Sequence, residues 1–170
     1  MQISHRICRF IVVATLIIAA QTVNAQSCQY EKNIIDALTE ARIKVTQPIT
    51  LAKMNNNPLY FKAQSVGMRY RFLKMKYYKY EDFTINEERE ISFLLSNNEE
   101  IVIKPRATAK ESSGETMASQ IVYPLSADQY EKLKRFPITS FKYYIASDLF
   151  EIPIKESKQT KIMEILGCID

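Results

Sequence analysis

Leu125-Ser126-Ala127-Asp128-Gln129-Tyr130-Glu131-Lys132-Leu133-Lys134-Arg135-Phe136-Pro137-Ile138-Thr139-Ser140-Phe141-Lys142-Tyr143-Tyr144-Ile145 is the stretch in which the hydrophobic period changes from that of a helix to that of a strand. Ser126 is followed three residues later by Gln129, the spacing of a capping box, in which each side chain satisfies an otherwise orphaned backbone N–H. Leu125 and Tyr130 flank it as a hydrophobic staple, so a short helix is expected from Ala127 to about Lys134. Pro137 helps to stop it. From Ile138 to Ala146 the residues Thr139, Phe141, Tyr143 and Ile145 alternate with Ser140 and Lys142, the period of a half-buried strand. A capped helix running straight into such a strand points to an α+β fold.

After a turn at Ser147-Asp148, Phe150, Ile152 and Ile154 share one face, and Pro153, which cannot donate to a ladder, marks an edge strand. Ser157 to Leu166 reads as a C-terminal amphipathic helix, with Ile162, Ile165, Leu166 and Ile169 in one stripe and Gly167 at its end. Upstream, Asn97-Asn98 separates Ile91-Ser92-Phe93-Leu94-Leu95 from Ile101-Val102-Ile103, which predicts a hairpin. Extended runs are expected over Arg42 to Lys53, Leu59 to Ser65 and Met68 to Tyr80, divided by Asn55-Asn56-Asn57-Pro58 and by Gly67. They suggest a mainly antiparallel meander sheet. The polar Lys110 to Glu115 reads as a mobile loop before another strand, Met117 to Tyr123. Over Tyr30 to Ala41 a helix is open from Ile34, Leu38 and Ala41, with Thr39 and the short stripe against it.

Tyr123-Pro124-Leu125-Ser126, Gln129-Tyr130, Leu133 and Pro137-Ile138-Thr139, followed by a hairpin and a terminal helix ending in Gly167-Cys168, resemble the C-terminal part of small exported proteins of unknown function from Bacteroidetes-type bacteria. The resemblance covers about 50 residues and its motifs are structural. It implies export and an α+β fold, and no reaction. Ser147-Asp148-Leu149 stands where that pattern has a glycine turn.

Arg6 and Arg9 precede an apolar run from Phe10 through Ala20, and Val23-Asn24-Ala25 follows. This is the pattern of a cleavable signal peptide over residues 1–25, leaving a single domain over residues 26–170. A retained anchor is the alternative, but about 11 apolar residues fall short of the roughly 20 that span a bilayer. A lipoprotein signal would make Cys28 the lipidated residue, and Ala25-Gln26-Ser27 fits that poorly. Removing the leader takes away His5, the one histidine, and Cys8, and leaves 145 residues with 21 basic and 19 acidic side chains. The pI near 8.9 therefore overstates the basic character of the mature chain, whose formal charge is +2. Cys28 and Cys168 remain near its two ends, in a compartment where thiols oxidise, and are expected to pair.

Without histidine the mature chain has no Ser-His-Asp triad, no Cys-His dyad and no imidazole-bound metal or haem. No glycine-rich loop offers amides to phosphate and no Cys-x-x-Cys pair is present, so no cofactor and no metal are expected. Carboxylate pairs are the remaining catalytic option: Glu81-Asp82, Glu87-Glu88-Glu90 and Glu99-Glu100. They fall in turns or at strand ends, where acids keep loops solvated and edges unpaired.

Met68 to Tyr80 is the most distinctive segment, interleaving Arg69, Arg71, Lys74, Lys76 and Lys79 with Tyr70, Phe72, Tyr77, Tyr78 and Tyr80. Export argues against nucleic acid as the partner and for an envelope protein, a glycan or an anionic surface, with Arg69, Tyr70, Arg71, Tyr77, Tyr78 and Lys79 as the candidate binding face. The plain alternative is a strand with a basic solvent face and an aromatic core face, bulged between Phe72 and Lys74. The leading expectation is a periplasmic or secreted, non-enzymatic binding protein with no transmembrane segment after signal cleavage. The rivals are a periplasmic immunity or inhibitor protein and a carboxylate-based hydrolase.

Overall fold

The computed structural model describes residues 28–54, 57–78, 85–113, 116–145 and 147–170. Residues 1–27, which include the expected signal peptide, and Asn55, Asn56, Lys79, Tyr80, the Glu81-Asp82 pair and Gly114-Glu115 lie outside the described residues. Among the described residues eleven strands, β1 (Tyr30–Ile35), β2 (Arg42–Thr46), β3 (Ile49–Met54), β4 (Asn57–Val66), β5 (Tyr70–Tyr78), β6 (Ile91–Leu95), β7 (Glu100–Ile103), β8 (Ala107–Ser113), β9 (Thr116–Leu125), β10 (Ile138–Ile145) and β11 (Asp148–Pro153), are joined by two α-helices, α1 (Ala127–Arg135) and α2 (Lys161–Gly167). The class is α+β with mainly antiparallel sheet, as the sequence implies.

The strands form two sheets, one of seven strands in the order β1-β2-β4-β5-β9-β8 with β3 also beside β4, the other of four in the order β11-β10-β6-β7. β2 and β3 take successive halves of β4: Gln64 to Val66 pair with β2, and Asn57 to Phe61 with β3. The break between them falls at Gln47-Pro48, where proline has no N–H to give a ladder. The sheets meet through alternate side chains. Phe61 of the larger sheet lies 6.3 Å from Phe93 and 6.1 Å from Phe141 of the smaller. Around them Leu59, Leu73, Met75 and Ile121 are fully buried from one side, and Ile91 and Leu95 from the other. α1 and α2 pack on each other and close one end with Tyr130, Leu133, Ile162, Ile165 and Leu166 buried.

Three tyrosines complete this core. Tyr77, Tyr123 and Tyr143 have no exposed surface. The Tyr123 hydroxyl donates to that of Tyr143 at 3.0 Å, which donates to the Asn86 carbonyl at 2.9 Å, while Tyr77 donates to Glu87 at 2.8 Å. A buried phenol needs such a partner, because an unpaired hydroxyl there costs about 1–3 kcal/mol. Burial pushes all three phenols above their ordinary value, and for Tyr77 the Glu87 carboxylate adds to the effect.

Local chemistry accounts for the elements and for the departures from expectation. Ser126 accepts from the Gln129 N–H at 3.1 Å and Gln129 accepts from the Ser126 N–H at 3.0 Å, at the start of α1. Asn98 turns the β6–β7 hairpin with φ 64°, a conformation asparagine tolerates better than most residues. Tyr30 to Ile35 is a strand and not the start of a helix. Asp36 accepts from the N–H groups of Leu38 and Thr39, which pulls those donors into a turn instead of a helix. Lys110 to Ser113 is also strand, paired with β9, because the backbone ladder does not require apolar side chains. In β10 a register shift between Ile138 and Ser140 removes Thr139 from the buried face, so the buried set is Ile138, Ser140, Phe141 and Tyr143. α2 begins at Lys161, four residues beyond the expected Ser157, which lies in a 3-10 turn.

Cys28 and Cys168 are joined, with Cα atoms 5.4 Å apart across 140 residues of sequence. No helix among the described residues is long and apolar enough to cross a membrane.

Ser126→Ala removes one cap and should lower stability by about 1 kcal/mol in urea unfolding. Spectrophotometric titration should show three of the ten tyrosines, Tyr77, Tyr123 and Tyr143, silent while the protein is folded. Because their folded values are raised, their contribution is complete below the ordinary phenol value near 10 and is lost above it, at about 1.4 kcal/mol per phenol per pH unit. Ordinary ionisation of all ten tyrosines with the fold intact would contradict this burial.

Candidate functional site

β4 and β5 form a hairpin whose tip is Gly67-Met68-Arg69, with Gly67 at φ 60°, a conformation that glycine adopts without strain. From Val66–Tyr70 to Tyr60–Lys76 the two strands pair residue for residue. The bulge expected between Phe72 and Lys74 is absent, so the parity of the strand is uniform. Leu73, Met75 and Tyr77 point into the sandwich; Tyr70, Phe72, Lys74, Lys76 and Tyr78 point away from it.

This divides the face read from the sequence. Tyr77 belongs to the core and has no exposed surface, whereas Phe72, which the plain alternative would place on an aromatic core face, is half-buried on the outer face. Tyr78 lies near the far end of β5, packed edge-on against Tyr60 at 6.0 Å with the Lys76 ammonium 5.9 Å from its ring centre. Lys62 stands opposite Lys74 on the same face and is paired with Glu31, which offsets the repulsion between like charges. Arg71 points inward at the end of the strand, 5.5 Å from the Tyr130 ring centre, with Nη1 donating to the Gly67 and Tyr70 carbonyls. Arg69 and Tyr70 are exposed at the hairpin tip.

The structure adds two residues that sequence periodicity missed. Leu38 and Met68 are each 95% exposed. Their turns are neighbours, since the Gly67 N–H donates to the Arg42 carbonyl at 2.8 Å and Val66 pairs with Ile43. The signal was present in the sequence as apolar residues next to turn-formers, Asp36 and Gly67, outside any strand alternation. Beside these tips a cleft of about 430 Å³ is lined by Arg42, Lys44, Arg71 and Asp170. The Asp170 carboxylate accepts from Lys134 and from the Tyr130 hydroxyl, and Lys44 reaches its main-chain oxygen. Lys134, then Tyr130, hold its carboxyl below the ordinary value, so it is ionised and already engaged.

Three of the candidate catalytic acids are likewise engaged. Glu99 pairs with Lys132, Glu100 with Ser92 and Lys142, and Glu87 with Tyr77. The Ser92 hydroxyl and the Lys142 ammonium keep the Glu100 carboxyl below its usual range, the opposite of what a glycosidase acid requires. Among the described residues no three His, Cys, Asp or Glu side chains come together as a metal site. Compared with known protein families, with curated proteins and with solved structures, the chain matches none.

Proposed function

We propose that the chain is an exported, non-enzymatic binding protein that engages a protein partner of the bacterial cell envelope through its paired hairpin tips. The observation that carries this reading is the exposure of Leu38 and Met68, 95% each, on two adjacent turns. Tyr70 is 53% exposed at the base of one of them, and Arg42 and Arg69 stand beside them. Apolar anchors surrounded by tyrosine and arginine are the composition of an interface centre with a polar rim.

The same geometry favours a protein over the other partners. Asp36 and Glu40 share the tips with Arg42 and Arg69, so the surface has little net charge with which to hold an anionic surface. The outer-face rings of Tyr60 and Tyr78 pack against each other at 89° and present no continuous platform to a sugar. Export is supported by the leader pattern and by the Cys28–Cys168 bridge. The non-enzymatic reading is supported by the lack of histidine after residue 25 and by carboxylates already committed to lysine, serine and tyrosine.

Site-specific photocrosslinking in the native envelope tests the reading. A crosslinker at Leu38 or Met68 should give the same single adduct, and one at Val102, 49% exposed on the smaller sheet, should not. Leu38→Ser combined with Met68→Ser should abolish capture while leaving the urea midpoint unchanged within about 0.5 kcal/mol per site. Equal adducts from all three positions, or undiminished capture by the double variant, would remove the tips from consideration.

A further inference from the structure

We infer that the corner of the sandwich between β3 and β11 binds an extended acidic peptide, added as a strand to the open edge of β3. Among the described residues β3 has a single strand neighbour, β4, and β11 has only β10. The two open edges come together at a cleft of about 220 Å³. Leu51, Ile152 and Pro153 line it with apolar surface, and every ionisable side chain in its lining is a lysine: Lys53, Lys155 and Lys158.

Those lysines differ from five others that are paired with acids. Lys62, Lys132, Lys134, Lys142 and Lys161 each sit on a carboxylate of this chain. Lys53 and Lys155 make no ion pair among the described residues, and Lys158 donates to the Thr50 carbonyl at 2.8 Å. That last contact shows a carbonyl of β3 taking a hydrogen bond from outside the sheet. A peptide strand laid beside β3 beyond Thr50 would supply further N–H donors to the edge, alternate side chains to the apolar lining, and carboxylates to Lys53 and Lys155. β11 is the less suitable acceptor of the pair, because Pro153 takes a donor from its edge. Lysines at a sheet edge also discourage pairing with neutral strands, so the same residues select an acidic partner and reject others.

The test uses the disulfide-closed protein and a short fluorescent peptide of alternating glutamate and valine, with binding followed by anisotropy. The wild type should bind it in a salt-sensitive manner, and Lys53→Ser with Lys155→Ser should weaken it by about tenfold or more with an unchanged circular dichroism spectrum. A peptide of the same sequence with N-methylated alternate amides should bind about tenfold more weakly, since it cannot complete the ladder. Hydrogen exchange should slow at β3 amides on binding. Equal affinity for the methylated peptide would reduce the site to charge attraction alone and overturn the strand-addition inference. So would heparin binding through the same lysines with no binding of the peptide, or protection appearing on β8 instead of β3.

Discussion

Phe61 reaches across the sandwich to Phe93 and Phe141, and the rest of the molecule depends on that contact. It requires one face of β4 to meet one face of both β6 and β10. In a strand the choice for one residue sets the choice for all, since side chains alternate with period two and a slip of one would expose the whole buried set. Phe61 inward makes Leu59 and Ala63 inward on β4 and, through the ladder, Leu73 and Met75 inward on β5. The same constraint turns Lys62, Lys74 and Lys76 outward. The basic outer face is thus a by-product of the core before it is anything else. Burying each such phenylalanine contributes about 1.5–3 kcal/mol.

The segments around Cys28 and Cys168 are held together by a second, polar arrangement. Cys168 is bonded to Cys28, and its carbonyl accepts from the Tyr30 hydroxyl at 2.6 Å. The Tyr130 hydroxyl of α1 lies 3.0 Å from both the Leu166 carbonyl and the Asp170 carboxylate and shares its one proton between them, while Arg71 of β5 lies against its ring. β1, β2, β5 and both helices therefore meet around the last few residues. Closing a loop of this length is worth about 5 kcal/mol on the chain-entropy account. The bridge also holds α2 in place, a seven-residue helix too short to be stable without tertiary contacts.

What the sequence made legible follows from how local the cause is. The helix at Ser126 and Gln129, the hairpin at Asn97-Asn98 and the edge character of Pro153 each rest on chemistry within a few residues. The pairing of Cys28 with Cys168 rested on count and compartment, and needed no geometry. Tyr30 to Ile35 was harder. Its strand is specified by a ladder to β2 and by the Asp36 turn, while its apolar residues Ile34 and Ile35 stay exposed and give no buried stripe to read. Within Met68 to Tyr80 the composition was evident and the parity was not. A strand with aromatics at both odd and even positions, Tyr77 and Tyr78 side by side, does not reveal which ring is core; the Phe61 register with Met75 decides it.

Charge gives the same lesson at the level of the whole molecule. A pI near 8.9 describes a sum, and in the folded chain part of that sum is already spent in local pairs such as Lys132 with Glu99 and Lys142 with Glu100. What a partner can feel is the remainder and its position. Arg69 and Arg42 stand at the apolar tips beside Asp36 and Glu40, where charges of both signs nearly cancel. Lys53 and Lys155 stand without acids in the lining of their cleft. Two surfaces with similar numbers of cations thus differ in kind. One is balanced and carries its exposed apolar area on Leu38 and Met68; the other is unbalanced and borders a strand edge with backbone groups left to pair. A neutral apolar patch and a cationic edge reward opposite chemistries, so any one partner suited to the first is poorly suited to the second.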